Sequence, residues 1–198
     1  MSEPTSLDLD AAASAIRAGS LVIYPTETVY GLGADALDPA AVERVFEAKG
    51  RDRSDPISMA VPDIDTAARY TELSGRERAF MRTFLPGPVT VVVERGSAVP
   101  DELTAGSDRV GVRIPDHEGA LALLDAVAPI TATSANVSGQ PSARRIADLD
   151  DAIREQAAVV LDGGETPGGG STVVDVERGE IHRRGRLADE VEAWLTDR

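Results

Sequence analysis

Short runs of β-branched and other apolar residues recur along the whole chain: SLVIYP (20–25), ISMAV (57–61), VTVVVE (89–94), VGVRIP (110–115), PITATS (129–134), AVVLDGG (158–164) and STVVDV (171–176). Each is too short for a buried helix and ends at Pro, Gly or a polar residue, so each predicts a strand. Stretches of helical character lie between them. LDAAASAIRAG (9–19) predicts an amphipathic helix stopped by Gly19. Asp38 and Pro39 supply an N-cap and a first-turn proline for a helix over 39–49, closed by Gly50. Ser74 and Glu77 form a capping box ahead of RERAFMRTF. Further helices are expected near 117–127 and 148–157, and LADEVEAWL predicts a closing one. Strands and helices mixed in this way predict a layered α/β or α+β fold around one large sheet. The Gly- and Pro-rich joints LPGPVT, SANVSGQPS and GGETPGGGST connect elements, and no repeat or linker divides the chain, so a single domain over 1–198 is expected.

Composition removes several chemistries. With no cysteine there is no disulfide framework, thiolate nucleophile or Cys-based metal site, and two histidines, His117 and His182, rule out a His-rich one. No Ser-His-Asp or Cys-His arrangement supports covalent catalysis. The acidic N-terminus MSEPTSLDLD lacks a signal-peptide pattern and no apolar run could span a membrane, so the expected location is the cytoplasm. Net charge is −14, from 34 acids against a single lysine and 19 arginines. That composition reads as an adaptation to very high salt, because at about 1 M the Debye length falls to about 3 Å and screens the self-repulsion.

The lone lysine, Lys49, stands against the trend. Val42, Val45, Phe46 and Lys49 share one face of the 39–49 helix, which turns Lys49 toward the protein. An arginine would serve the helix dipole equally well, so a compact ammonium facing a phosphate or carboxylate is the functional reading. Arg51 and Arg53 follow; Asp52 and Asp55 flank them, and a self-neutralising surface loop is the alternative, weaker for Arg51 than for Arg53.

Three loops carry the remaining polar groups. YPTETVYGLGADA (24–36) offers Thr26, Thr28 and Tyr30 to a ligand; its G-L-G is not a dinucleotide fingerprint and otherwise reads as a strand-to-turn junction with glycine for positive φ. ATSANVSGQPS (132–142) presents Ser134, Asn136, Ser138 and Ser142, either to phosphate or ribose oxygens or to an ordinary turn. GGETPGGGSTVVD (163–175) lacks the Walker ending, leaving an anion nest at Gly168–Gly170 or a flexible hairpin. HRRGR (182–186) adds Arg183, Arg184 and Arg186, and alternation sets Arg113 opposite Val112 and Ile114, either capped by a carboxylate or facing a cleft. Cations, hydroxyls and glycine loops together suggest a polyanionic nucleotide, with catalysis by positioning and charge stabilisation.

YPTETVYGLGADA, FEAKGRDRSDPIS, LPGPVTVVV, VGVRIPDH, TSANVSGQPS and GGSTVVDV resemble, in order, the YrdC/TsaC family, over roughly residues 7–187. The resemblance implies a twisted mixed sheet flanked by helices with a large concave, positively charged cavity. It implies synthesis of threonylcarbamoyl-AMP and pyrophosphate from L-threonine, bicarbonate and ATP, with Mg²⁺ accompanying ATP, and a partner complex that transfers the threonylcarbamoyl group to tRNA. It places Lys49 and Arg51 in catalysis and, with Asp55, Ser134, Asn136, Ser142 and Arg183, on ATP. It places Thr28, Tyr30, Arg113, Ala132 and Ser171 on threonine. The metal's ligands stay unassigned. Two departures stand out: the histidine many members carry after the loop proline is absent, with Ala60 near its place, and no additional C-terminal domain is expected. With the composition, the chain reads as a short, single-domain form from a halophilic archaeon.

Three alternatives compete. One is a paralogue that binds nucleotide or RNA without making the adenylate. Another is a carbamoyl-transfer module like the related domain of hydrogenase-maturation proteins, which the lack of cysteine disfavours. The third is a module binding tRNA or double-stranded RNA directly, which a −14 chain supports only if its cations are segregated.

Overall fold

The computed structural model describes residues 6–197; residues 1–5 and Arg198 of the expected domain lie outside the described residues. The elements run α1 (Ser6–Arg17), β1 (Leu21–Tyr24), β2 (Gly31–Gly33), α2 (Pro39–Lys49), β3 (Ser58–Ala60), α3 (Ile64–Ala67), β4 (Thr71–Glu72), α4 (Gly75–Phe84), β5 (Val89–Arg95), α5 (Asp101–Thr104), β6 (Arg109–Arg113), α6 (Glu118–Val127), β7 (Ile130–Ser134), α7 (Asp151–Arg154), β8 (Ala157–Val160), β9 (Thr172–Asp175), β10 (Glu180–Arg183) and α8 (Ala188–Thr196).

Among the described residues the strands form one mixed sheet in the order β10-β9-β5-β6-β3-β7-β2-β1-β8, with β4 also pairing to β5. Pairs β3–β6, β5–β9 and β1–β8 are parallel and the rest antiparallel. The expected layered fold is therefore the observed one. On β1 the pleat divides two cores: Leu21 and Ile23 join Val42, Val45 and Phe46 of α2, while Val22 and Tyr24 join Ala12 and Ile16 of α1 and Leu123 and Leu124 of α6. Toward the other edge the division differs. Val91, Val93, Val110, Val112 and Val174 point into the core, and their alternates Thr90, Val92, Gly111, Arg113, Val173 and Asp175 face a cavity.

Local signals are obeyed where they are strong. Asp38 caps α2 by accepting from Ala40 N, and Ser74 and Glu77 form the reciprocal capping box of α4. Three expectations are corrected. The G-L-G stretch is a strand, not a turn junction, and its glycines do not have positive φ. They are needed for close approach: a Cβ on Gly31 would lie 2.8 Å from Tyr24 Cζ. Tyr24 is buried and its hydroxyl donates to Thr131 O at 3.3 Å, so the ring has little freedom to yield. Gly31→Ala is expected to lower stability by about 1–3 kcal/mol, read as a drop in urea midpoint at unchanged slope.

The helix expected over 148–157 is only a 3₁₀ turn at Ile146–Asp148 and the single turn α7. Asp148 accepts from Arg145 N and Asp150 from Ala152 N, so side chains cap the backbone twice within a few residues and interrupt the helix. The glycine-rich 163–171 segment is not a hairpin, because β8 is the edge strand beside β1 while β9 lies beside β5. It crosses the molecule and forms part of the cavity wall.

Candidate functional site

The cavity measures about 730 Å³. Sheet register builds its floor by aligning distant parts of the sequence. Ala60, Arg113, Thr90, Val173 and Arg183 are successive cross-strand partners on β3, β6, β5, β9 and β10. Neighbours in such a row stand about 5 Å apart, which makes one surface of them.

Arg113 Nη2 donates to Thr28 Oγ1 at 2.7 Å and to Glu27 Oε1 at 2.9 Å. The guanidinium is thus both capped by a carboxylate and part of the cavity wall. On the far side Arg183 donates from Nη2 to Ser171 Oγ at 2.8 Å and from Nε to Ser171 O at 3.0 Å, and Ser171 Oγ lies 3.1 Å from Thr90 Oγ1. Burial, then the positive charges of Arg113 and Arg51, push the Arg183 guanidinium below its usual range. Six arginines line one cavity in a chain of net charge −14, and Arg51, Arg113 and Arg183 are the three close enough for their charges to be felt at Arg183.

The end of α2 separates Lys49 from Arg51. Gly50 takes a left-handed conformation (φ 54°), Gly50 N donates to Glu47 O and Arg51 N to Phe46 O, and the chain turns sharply. Arg51 enters the cavity wall, oriented by the carbonyls of Asp55 and Pro56, each 3.1 Å away. Asp55 itself is exposed and contributes that carbonyl. Arg53 pairs with Glu43 on the surface, the solvated reading.

Lys49 is 1% exposed and lies behind the wall, not in it. Its Nζ donates to Ser134 O and, at 2.8 Å, to Asn136 O, while its own carbonyl accepts from Ser138 N at 2.8 Å. The helix end and the Ser-x-Asn loop are thereby stitched together. Asn136 braces the same loop from within: Nδ2 donates to the carbonyls of Val137 and Gln140, and Oδ1 accepts from Ser142 Oγ at 3.3 Å. Ser134, Ser142 and Ala132 are left lining the cavity.

Burial, and secondarily Arg51, lower the Lys49 ammonium to about 8. A lysine whose folded pKa falls below its unfolded value opposes folding in full below the folded pKa, and the penalty is relieved as pH rises from about 8 to 10.5. Relative to Lys49→Met, wild type is expected to gain up to roughly 3 kcal/mol across that window, measured as urea midpoints at pH 7 and pH 10.

Other hydroxyls are committed to structure. Thr26 Oγ1 donates to Val29 O at 2.6 Å and closes its own turn. The Tyr30 hydroxyl donates to Gly164 O at 2.7 Å and accepts from Gly163 N at 3.1 Å, holding the glycine-rich segment. Burial raises its pKa. The expected anion nest is reduced, because Gly168 N already donates to Thr28 O at 2.7 Å. Arg184 pairs with Asp189 and Glu192, and Arg186 Nη1 donates to Glu27 O at 3.2 Å.

Sequence reasoning passed over Thr90, Glu27, Arg109, Arg144 and Asp175. Thr90 and Asp175 were readable as polar interruptions of VTVVVE and STVVDV. Asp175 is fully buried and held by Arg109 Nε at 2.9 Å, an ion contact without hydrogen-bond alignment, with Arg178 Nε at 3.6 Å.

A family model covering Sua5, YciO and YrdC, described as telomere recombination, matches residues 14–185. The chain is 42% identical over 168 residues to a Pyrococcus abyssi protein named threonylcarbamoyl-AMP synthase, covering 83% of this chain and 49% of that one. A Bacillus subtilis protein of the same name is 37% identical over 161 residues, 78% of this chain and 46% of its own. The chain thus spans about half the length of these relatives. The structure of P. abyssi Sua5 complexed with L-threonine superposes with a TM-score of 0.86 at 40% identity, over 93% of this chain and 56% of that one. On the family match and these identities, the chain belongs to the Sua5/YciO/YrdC family.

Proposed function

We propose that the chain makes threonylcarbamoyl-AMP from L-threonine, bicarbonate and ATP, for modification of tRNA. The observation that carries this reading is the convergence of Arg51, Arg113 and Arg183 on one cavity. Arg51 and Arg183 are oriented there by carbonyls and a hydroxyl, which leaves their charge for an anion. The relatives' names, and L-threonine in the P. abyssi complex, supply the substrate class.

In this reading Arg113 takes the threonine carboxylate beside Thr28, with Ala132 and Ser171 forming the walls and Tyr30 holding the glycine-rich segment. Arg51, Arg183, Ser134 and Ser142 take the nucleotide. Lys49 and Asn136 act through the loop they brace, and Asp55 through the carbonyl that orients Arg51. The threonine amine attacks CO₂ derived from bicarbonate and loses a proton, giving a carbamate. A carbamate oxygen attacks the α-phosphorus and the bond to pyrophosphate breaks, leaving the mixed anhydride with AMP. The cations stabilise negative charge on the phosphoryl oxygens in that step.

Cavity side chains do not build a metal cage: the wall carboxylate, Asp175, is taken by Arg109 and Arg178. Mg²⁺ would enter on the phosphates of ATP, and no step here depends on it. We further assign the chain to the cytoplasm of a halophilic archaeon, handing its product to a threonylcarbamoyl-transfer complex, with direct tRNA or double-stranded RNA binding as a separate question. No described helix is long and apolar enough to cross a membrane.

Mass spectrometry of a reaction with all three substrates tests the proposal. A product with the mass of threonylcarbamoyl-AMP is expected. Tight ATP binding with no such product would favour the paralogue reading, and salt-sensitive RNA binding alone the RNA module.

A further inference from the structure

Resting on the nucleotide reading of the cavity, we propose that Arg144 is a further phosphate-binding residue, held by Glu165 until ATP draws it away. Arg144 lines the cavity next to Ser142 and close to the glycine stretch 168–170. Its Nη2 lies 2.9 Å from Glu165 Oε1, and its Nε donates to Thr166 O at 3.1 Å.

The cavity's other carboxylate-paired arginines differ in what holds them. Arg109 and Arg178 face Asp175, which is fully buried, and Arg113 faces Glu27, whose side chain is 12% exposed. Asp175 cannot give up Arg109, nor Glu27 Arg113, without a desolvated charge losing its close partner, while Arg178 stands at 3.6 Å from Asp175 and holds it only loosely. Glu165 is 42% exposed, and it already has a second partner, Arg145 Nη2 at 2.6 Å. Exposed ion pairs contribute little, while a guanidinium on a phosphate forms strong charge-assisted hydrogen bonds. Arg144 can therefore exchange Glu165 for a phosphate, and Arg145 keeps the carboxylate neutralised.

The glycine segment is shaped to allow this. A Cβ on Gly168 would lie 2.9 Å from Arg144 Nε, so the missing side chain makes room for the guanidinium at the wall. Gly168 has φ 84°, which an L side chain would oppose in any case. The backbones are joined independently of the ion pair, since Thr166 N donates to Arg144 O at 2.8 Å. Substituting the charged groups thus leaves the segment anchored.

Calorimetric titration of the full chain with ATP and with AMP is the test. Arg144→Gln is expected to weaken ATP binding about tenfold and AMP binding less than twofold. Glu165→Gln, which frees Arg144, is expected to tighten ATP about threefold, and that gain should vanish in Arg144→Gln/Glu165→Gln. Arg145→Gln, which leaves Glu165 with Arg144 as its partner, should weaken ATP binding about twofold to threefold, and Glu165→Gln should remove that loss. Unchanged ATP affinity in Arg144→Gln, an equal loss for AMP, weaker ATP binding in Glu165→Gln, or a gain that persists in the double variant would each overturn the proposal. Wild-type protein that binds no ATP would instead overturn the nucleotide reading itself.

Discussion

Lys49→Ala is expected to lower kcat/KM for adenylate formation by about two orders of magnitude while the chain still folds. Two opposing terms set the stability. Removing the ammonium relieves a buried charge, but it leaves the carbonyls of Ser134 and Asn136 without their donor and opens a void in a site only 1% exposed. Each term amounts to a few kcal/mol, so their sum is small compared with the functional loss. That loss follows from position: Ser134 and Ser142 both hang from the loop that Lys49 ties to the end of α2. Lys49→Arg should not restore turnover, because a planar guanidinium is larger and meets two nearby carbonyls differently from a compact ammonium. Circular dichroism and steady-state kinetics on both variants check this; wild-type turnover in Lys49→Arg would contradict it.

The second large effect is expected at Arg113. Arg113→Gln should raise KM for L-threonine about a hundredfold, as a charge-assisted carboxylate contact is lost. It should also destabilise the fold by about 3–5 kcal/mol, because Glu27 would be left buried without its cation. The two consequences separate in Glu27→Gln/Arg113→Gln. Neutralising both partners should recover most of the stability and none of the threonine affinity. A double variant that regains affinity would show that Arg113 acts on folding alone.

Much of this architecture was legible in the chain. The short apolar runs announced most of the strands, and Asp38, Gly50, Ser74 and Glu77 marked helix ends where they occur. Helical spacing turned Lys49 inward correctly, yet could not show that its ammonium meets carbonyls of a loop 85 and 87 residues away. Long-range register is the missing quantity. Nothing local says that Arg113, Thr90 and Arg183 belong to one row, or that Glu27 faces Arg113. Tyr30 shows the complementary failure: its hydroxyl looked available for a ligand, and the fold uses it to hold Gly163 and Gly164. G-L-G misled for a related reason, since its glycines answer the Tyr24 ring on the neighbouring strand and not a turn.

The most direct test of the central claim is pyrophosphate release in high-salt buffer with ATP present and threonine and bicarbonate omitted in turn. Release that requires both, and that disappears in Lys49→Ala, is the predicted result. Release that continues without threonine would contradict the assignment of this cavity to threonylcarbamoyl-AMP synthesis.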